Sequence, residues 1–425
     1  MVILIFILGY LLITLEDFFS VNKVISSILM ATICWSLILF LNIPVYEYEL
    51  DQQLILRKNP KYLLLLHLGK ASEIIFFIVG SMSIISIIEK YSGFEALKEL
   101  FSTKKTKREF LWIISIASFL LSAIIDNITA TMVIISLLRK IVISYKDRLY
   151  YLGLVIISAN AGGVWSPIGD ITTTMLWISN KVTTIYLIKK IFIPSVLCMV
   201  ISTLIASYIP IFNGYIQINK NGNLSKDSLK RGFFMLKIGL FLILLVPIFK
   251  TIIGIPPYMG MMFSLGIMLF IASKKYKSKS IFDDIFKKID ISSILFFLSI
   301  LLSVSALEAI GKLDHLSHWI HETVYTWKIT TFLLGLISSI IDNVPLVAAT
   351  IAMFSYPINH DLWHFIAYVS GTGGSILLIG SAAGVATMSM EKIDFFWYLK
   401  KISWIALIGY IFGFIYLLID PFFSL

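Results

Sequence analysis

The chain has 425 residues, of which 58% are hydrophobic and only 14% charged, with a net charge of +10. Soluble domains carry about 25% charged residues, so this composition excludes that class. Apolar runs of about 20 residues recur from end to end and are continuous rather than alternating, which points to membrane helices and excludes a β-barrel.

Candidate spans cover 2–19, 24–45, 63–88, 150–179, 184–209, 233–253, 257–273, 291–310, 361–388 and 401–419. Lysines and arginines gather in the short loops between them, so the positive charge reports topology and anionic lipid rather than nucleic acid. Residues 1–15 lack a basic start and a small-residue cleavage site, and are expected to stay as a first span. Cys34 and Cys198 lie inside apolar runs, as core fillers rather than a disulfide or metal pair.

Two stretches break the pattern. Ile124-Ile125-Asp126-Asn127 interrupts the run Phe110–Leu138, and the same tetrapeptide recurs as Ile340-Ile341-Asp342-Asn343 within Ile329–Tyr356. A carboxylate at membrane depth costs about 2.5–3.5 kcal/mol on insertion scales, so a repeated one marks a duplicated site. Too few apolar residues flank each polar pair for either side to cross alone. Lys104, Lys105, Lys107 and Arg108 precede the first stretch, and Arg139, Lys140, Lys146 and Arg148 follow it. A re-entrant hairpin over 110–144 keeps both clusters in the cytoplasm. The second stretch has few flanking cations, and Pro345 removes a helical hydrogen bond just past its polar pair, which predicts a hairpin over 329–356 from the external side.

The repeat is wider than the two tips. Phe76-Phe77, Glu89 and Gly93 match Phe296-Phe297, Glu308 and Gly311. A glycine-rich break follows each hairpin: Asn160-Ala161-Gly162-Gly163 to Gly169–Met175, then Gly371-Thr372-Gly373-Gly374 to Gly384–Met388. The predicted fold is an all-α polytopic membrane protein built from two inverted repeats, each of five spans plus one re-entrant hairpin. The first repeat covers 1–213 with its broken span at 150–179, a cytoplasmic linker covers 214–232, and the second repeat covers 233–425 with its broken span at 361–388. An odd number of crossings per half inverts the copies, and the discontinuous helices meet at the midplane, as in transporters.

Unwound backbone at that depth is tolerated only where it is buried in protein or lines a wet cavity. Hard cations such as Na⁺ take oxygen ligands. The first half offers Asp126, Asn127, Thr129, Asn160, Asp170, Thr172 and Thr173; the second offers Ser338, Asp342 and Asn343. Small hydroxyls also serve as glue between helices, whereas a carboxylate is too costly for that role alone. Three aspartates would repel a citrate-like anion and attract a small cation. A group that holds either Na⁺ or H⁺, never both, is the minimum needed for exchange, and no cofactor is required. The alternatives are an arsenite or dicarboxylate carrier on the same scaffold, or an intramembrane aspartyl protease. The protease needs Gly-x-Gly-Asp, whereas Asp170 follows Pro167-Ile168-Gly169.

His67–Phe94, Phe119–Lys140, Ala159–Ile178, Phe296–Gly311, Leu334–Ala349 and Gly371–Tyr410 resemble, in order, the NhaD-type sodium/proton antiporters of the ion transporter superfamily. The segment Glu391-Lys392-Ile393-Asp394-Phe395-Phe396-Trp397-Tyr398-Leu399-Lys400-Lys401 is especially specific. The resemblance implies a transporter rather than an enzyme, exporting Na⁺ and Li⁺ for H⁺ across a bacterial cytoplasmic membrane, as a homodimer with elevator-like motion. It puts the transport-critical acids at Asp126, Asp170 and Asp342, with Thr129, Asn160, Thr172, Thr173, Ser338 and Asn343 as polar partners. His67 and Glu73 match positions tied to activity or pH response, and Glu89 and Glu308 match acids at the ends of paired spans. Asn127 stands where some relatives have a second acid. His315, His318 and His321 fall in an expected external loop, as ordinary polar residues rather than a zinc site. Gly409 and Gly413 form a GxxxG pattern for close helix packing.

Overall fold

Hydrocarbon offers no partner to a bare N–H or C=O, so each apolar run closes into a helix and polar side chains collect where helices begin. The computed structural model of the protein describes residues 1–14, 21–49, 54–94, 106–216, 226–276, 281–287, 289–313, 326–340, 343–391 and 393–419. The first half supplies α1 (Val2–Thr14), α2 (Lys23–Phe40), α3 (Pro60–Lys90), α4 (Lys107–Ile125), α5 (Asn127–Ile141), α6 (Tyr145–Gly163), α7 (Ile171–Ile178) and α8 (Thr184–Ser207). The second supplies α9 (Lys226–Ile253), α10 (Pro257–Tyr276), α11 (Ile281–Phe286), α12 (Ile291–Ala309), α13 (Trp327–Ile337), α14 (Asn343–Met353), α15 (Asp361–Gly373), α16 (Ala382–Glu391), α17 (Phe395–Lys401) and α18 (Ser403–Ile419). Asn22 and Asn59 cap α2 and α3, Thr106 and Glu109 form a capping box on α4, and Ser144 caps α6. Each cap satisfies N–H groups that lipid cannot, a contribution of about 1 kcal/mol apiece.

Packing sorts the helices into two bundles. One holds α1, α2, α3 and α9 to α12; the other holds α4 to α8 and α13 to α18. Their seam runs where α12 meets α14, α3 meets α7 and α9 meets α4. The spans after each broken helix, α8 and α18, belong to the bundle with the hairpins. Glycine makes that possible: a Cβ on Gly409 would lie 2.2 Å from the Ser202 hydroxyl, and one on Gly413 1.9 Å from the Tyr368 hydroxyl.

Polar contacts fix which helix ends share a face. Lys107, starting α4, pairs with Asp147 in the first turn of α6 at 2.6 Å. Arg139 in α5 and Arg148 in α6 both pair with Glu391, which ends α16. The α4–α5 pair therefore leaves this face and returns to it, with Asp126 at the turn. Trp327, starting α13, packs against His360 and Phe365, and Tyr356, just past α14, stacks on His360. The α13–α14 pair thus also begins and ends at one face. That face is the opposite one, because Asn359 bonds to Lys181 and Thr183, beyond the end of α7. Lys107, Arg139 and Arg148 make the first a basic face.

Some boundaries differ from the sequence expectation. The span expected over 24–45 stops at Phe40, and β1 (Val45–Glu49) pairs antiparallel with β2 (Leu54–Lys58), Val45 opposite Lys58. Val-Tyr-Glu-Tyr-Glu alternates with the period of a strand, so among the described residues a small hairpin interrupts the succession of helices. The first span is helical to Thr14, and residues 15–19 lie outside the described residues. Pro345 falls in the first turn of α14, where no intrahelical N–H bond is lost; it starts a helix rather than breaking one. The last expected span, 401–419, is α18, which the short helix α17 precedes at 54°. Among the described residues, seven helices are long and apolar enough to cross by themselves, or eight with that bent pair.

Candidate cation site

Helix α4 stops because Asp126 takes a φ of +79° and a ψ of 155°. That region costs a non-glycine residue about 1–3 kcal/mol and persists mainly at functional sites. The carboxylate in turn starts α5, accepting the Thr129 N–H at Oδ1 and the Thr129 hydroxyl at Oδ2, both at 2.9 Å. Asp126 and Thr129 line a cavity of about 1190 Å³ that also touches Ser136, Thr174, Ala382 and Met390. The same cavity reaches Glu89, Arg139 and Asp290, so it connects Asp126 with the basic face.

Asp170 is deeper, only 1% exposed, and caps α7. The Thr172 N–H and hydroxyl both donate to its Oδ1 at 2.8 Å. Its Oδ2 accepts from the Asn127 amide at 2.8 Å, and that amide also donates to Asn160 Oδ1 at 3.0 Å. The Asn160 amide then donates to the Ser381 hydroxyl oxygen at 3.0 Å, which also accepts the Gly384 N–H at 3.1 Å. One buried chain of polar groups therefore runs from the break after α6, past the α4–α5 turn, to the start of α16.

Glycine lets the hairpins approach the broken helices closely enough for this. A Cβ on Gly162 would lie 2.1 Å from the Phe119 carbonyl oxygen, and one on Gly373 2.2 Å from that of Gly335. The neighbouring ties match as well: the Ser122 hydroxyl donates to the Ala159 carbonyl (2.5 Å), and the Ser338 hydroxyl to the Ser370 carbonyl (2.7 Å).

The expected residues thus fall into distinct groups. Asn127, Asn160, Asp170 and Thr172 form the network, with Asp126 and Thr129 beside it on the cavity wall. Thr173 instead braces the break, its hydroxyl reaching the Ser166 carbonyl at 2.8 Å. Ser338 ties the second hairpin to α15, and buried Asn343 starts α14. Asp342 lies outside the described residues, as do His315, His318 and His321. His67, Glu73 and Glu308 are in the other bundle: His67 Nδ1 is 3.9 Å from Glu308 Oε2, and Glu73 acts electrostatically on Lys250. Glu89 sits on the cavity wall, away from the network. Ser381 was not anticipated. Counting from the paired glycines Gly163 and Gly374, it occupies the place in the second break that Asp170 holds in the first.

A family profile described as "Citrate transporter" matches residues 1–373. Sodium/proton antiporter 1 of Arabidopsis thaliana is 39% identical over 96% of this chain and 70% of its own length. Sodium/proton antiporter 2 of the same plant is 36% identical, over 96% of this chain and 97% of its own length. The Na(+)/H(+) antiporter NhaD of Alkalimonas amylolytica is 28% identical over 80% of this chain and 75% of its own length. The chain belongs to the NhaD-type sodium/proton antiporters of the ion transporter superfamily. Membership fits a multi-pass helical membrane protein, and plant and bacterial antiporters alike match it across most of its length.

Proposed function

We propose that the protein exports Na⁺, and also Li⁺, in exchange for H⁺, with cation and proton competing for Asp126, Asp170 and Asp342. The observation that carries this reading is Asp170: a buried carboxylate that accepts hydrogen bonds from Thr172 and Asn127 and is linked through Asn127 and Asn160 to both interrupted helices. Burial opposes an ionised carboxylate and a bound cation favours it, so each acid alternates between proton and metal. Asp126, Asn127, Thr129, Asn160, Thr172, Ser338 and Asn343 supply further oxygens, and Thr173 keeps the break in shape. We read the two hairpins as re-entrant and the halves, 1–213 and 233–425, as inverted repeats, which the matched serine ties and glycine contacts support. The cavity from Asp126 to the basic face corresponds to an inward-open state in the cytoplasmic membrane of a bacterium. Alternating access follows if the bundle with the hairpins moves against the other, within a homodimer.

The citrate description of the family profile raises an anion as substrate. The hydrogen bonds that Asp170 accepts in the network come from threonine and asparagine. A tricarboxylate would meet carboxylate there. Everted vesicles with a pH-sensitive dye test the proposal: NaCl and LiCl should release protons, and Asp342→Asn should abolish that release in inserted protein. Proton release driven by citrate but not by Na⁺ would overturn it.

A further inference from the structure

Glu391 opens the most specific motif of the sequence, yet nothing in the cation site uses it. Its side chain is only 2% exposed and both oxygens are engaged: Arg139 Nε bonds to Oε1, and Arg148 Nε to Oε2 at 3.0 Å. The final carbonyls of α16 are held as well, Met390 by the Arg139 guanidinium and Glu391 by the Tyr145 hydroxyl at 2.9 Å. Arg139 belongs to the first hairpin, Tyr145 and Arg148 to the first broken helix, and Glu391 to the second. A buried carboxylate between two guanidiniums has no such geometry by accident, because unpaired it would be costly.

The opposite face carries a matching tie. Asn359, in a left-handed conformation at φ +61°, precedes α15. Its side-chain oxygen accepts the Thr183 N–H at 2.8 Å, and its own N–H donates to the Lys181 carbonyl at 2.8 Å, just past α7. Each broken helix is therefore fastened, at its far end, to the other half of the chain.

We propose that Glu391 is a positioning residue, the anchor of a charge clamp that holds the first hairpin and both broken helices as one body, so that the Asn160–Ser381 link survives the transport motion. The proposal rests on the antiport reading for its purpose, but not for its test. In protein with Cys34 and Cys198 replaced by alanine and Ser381→Cys added, Glu391→Gln should raise the rate at which maleimide modifies the introduced thiol in membranes about tenfold. Met261→Cys, buried in the other bundle, should keep its rate in the same background, and Glu391→Asp should recover most of the protection. Exchange should follow: Glu391→Gln should lower maximal Na⁺-driven proton release about tenfold with a smaller change in the Na⁺ KM. If Glu391→Gln does not insert, Tyr145→Phe, which removes the hydroxyl bonded to the Glu391 carbonyl and unpairs no charge, takes its place with the same thiol readout. An unchanged rate at position 381, or an equal rise at position 261, would overturn the clamp. Wild-type vesicles without Na⁺-driven proton release would instead refute the antiport reading and leave the thiol result standing.

Discussion

Asp170→Asn separates what the carboxylate does for folding from what it does for transport. Asparagine caps helices as well as aspartate does, so Oδ1 can keep its two bonds from Thr172. The new amide would face the Asn127 amide, donor against donor, at a position now 2.8 Å away. The chain can answer by reversing. Asn127 turns its oxygen toward position 170, Asn160 donates to that oxygen, and the Ser381 hydroxyl donates to Asn160. The count of hydrogen bonds is then preserved, and stability should fall by no more than about 1 kcal/mol, the worth of one imperfect bond. Cation binding has no such remedy. Unit charges about 4 Å apart attract by about 4 kcal/mol at an effective dielectric of about 20, which is roughly 10³-fold in affinity. Asp170→Asn should therefore reach the membrane, unfold within a few degrees of the parent in detergent, and show no Na⁺-driven proton release in everted vesicles. A Na⁺ KM within about threefold of the parent value would refute the assignment of Asp170 as a cation ligand.

The competing-ion mechanism makes the Na⁺ KM climb as pH falls, by up to about tenfold per unit where one proton must leave per site; a KM independent of pH with transport intact would separate the two pathways. Topology is readable by thiol labelling in cysteine-free protein: Arg108→Cys and Lys146→Cys, which bracket the first hairpin, should react from the cytoplasmic side, and Thr326→Cys and Ser355→Cys, which bracket the second, from the other. Labelling of either pair on opposite sides would make that stretch a single crossing. Gly162→Ala and Gly373→Ala should each destabilise by about 1–3 kcal/mol, because the added methyl meets hairpin backbone that cannot step aside. Melting temperatures equal to the parent for both would contradict the close approach.

Local signals carried most of the architecture. The apolar runs, the polar tetrapeptides and the glycine breaks were legible because lipid forces backbone pairing and only glycine tolerates a carbonyl at about 2 Å from its missing Cβ. What escaped was decided by distant partners. Ser381 meets Asn160 across 221 residues of sequence, and Glu391 meets Arg148 across 243. No periodicity announces such pairs. Thr172 and Thr173 were indistinguishable as sequence; in the first turn of α7 they point differently, one to the carboxylate and one to the break. The short β-hairpin was overlooked because its alternating residues abut an apolar run that reads as more helix.

The role of charge at this site can be argued from what the helices alone require. Asp126 and Asp170 both cap helices, and Asp126 does so from a left-handed backbone. Asparagine meets each of those demands equally: it caps as strongly, and it tolerates positive φ as readily. It would also avoid the cost of a carboxylate at membrane depth. Asn127, 2.8 Å from Asp170, and Asn160, bonded to Asn127, show that this fold accommodates buried, hydrogen-bonded amides beside that carboxylate. Helix capping by itself therefore supplies no reason for the negative charge at Asp126 or Asp170. The proposed exchange gives that charge a use that an amide could not meet, the holding of a small cation in alternation with a proton.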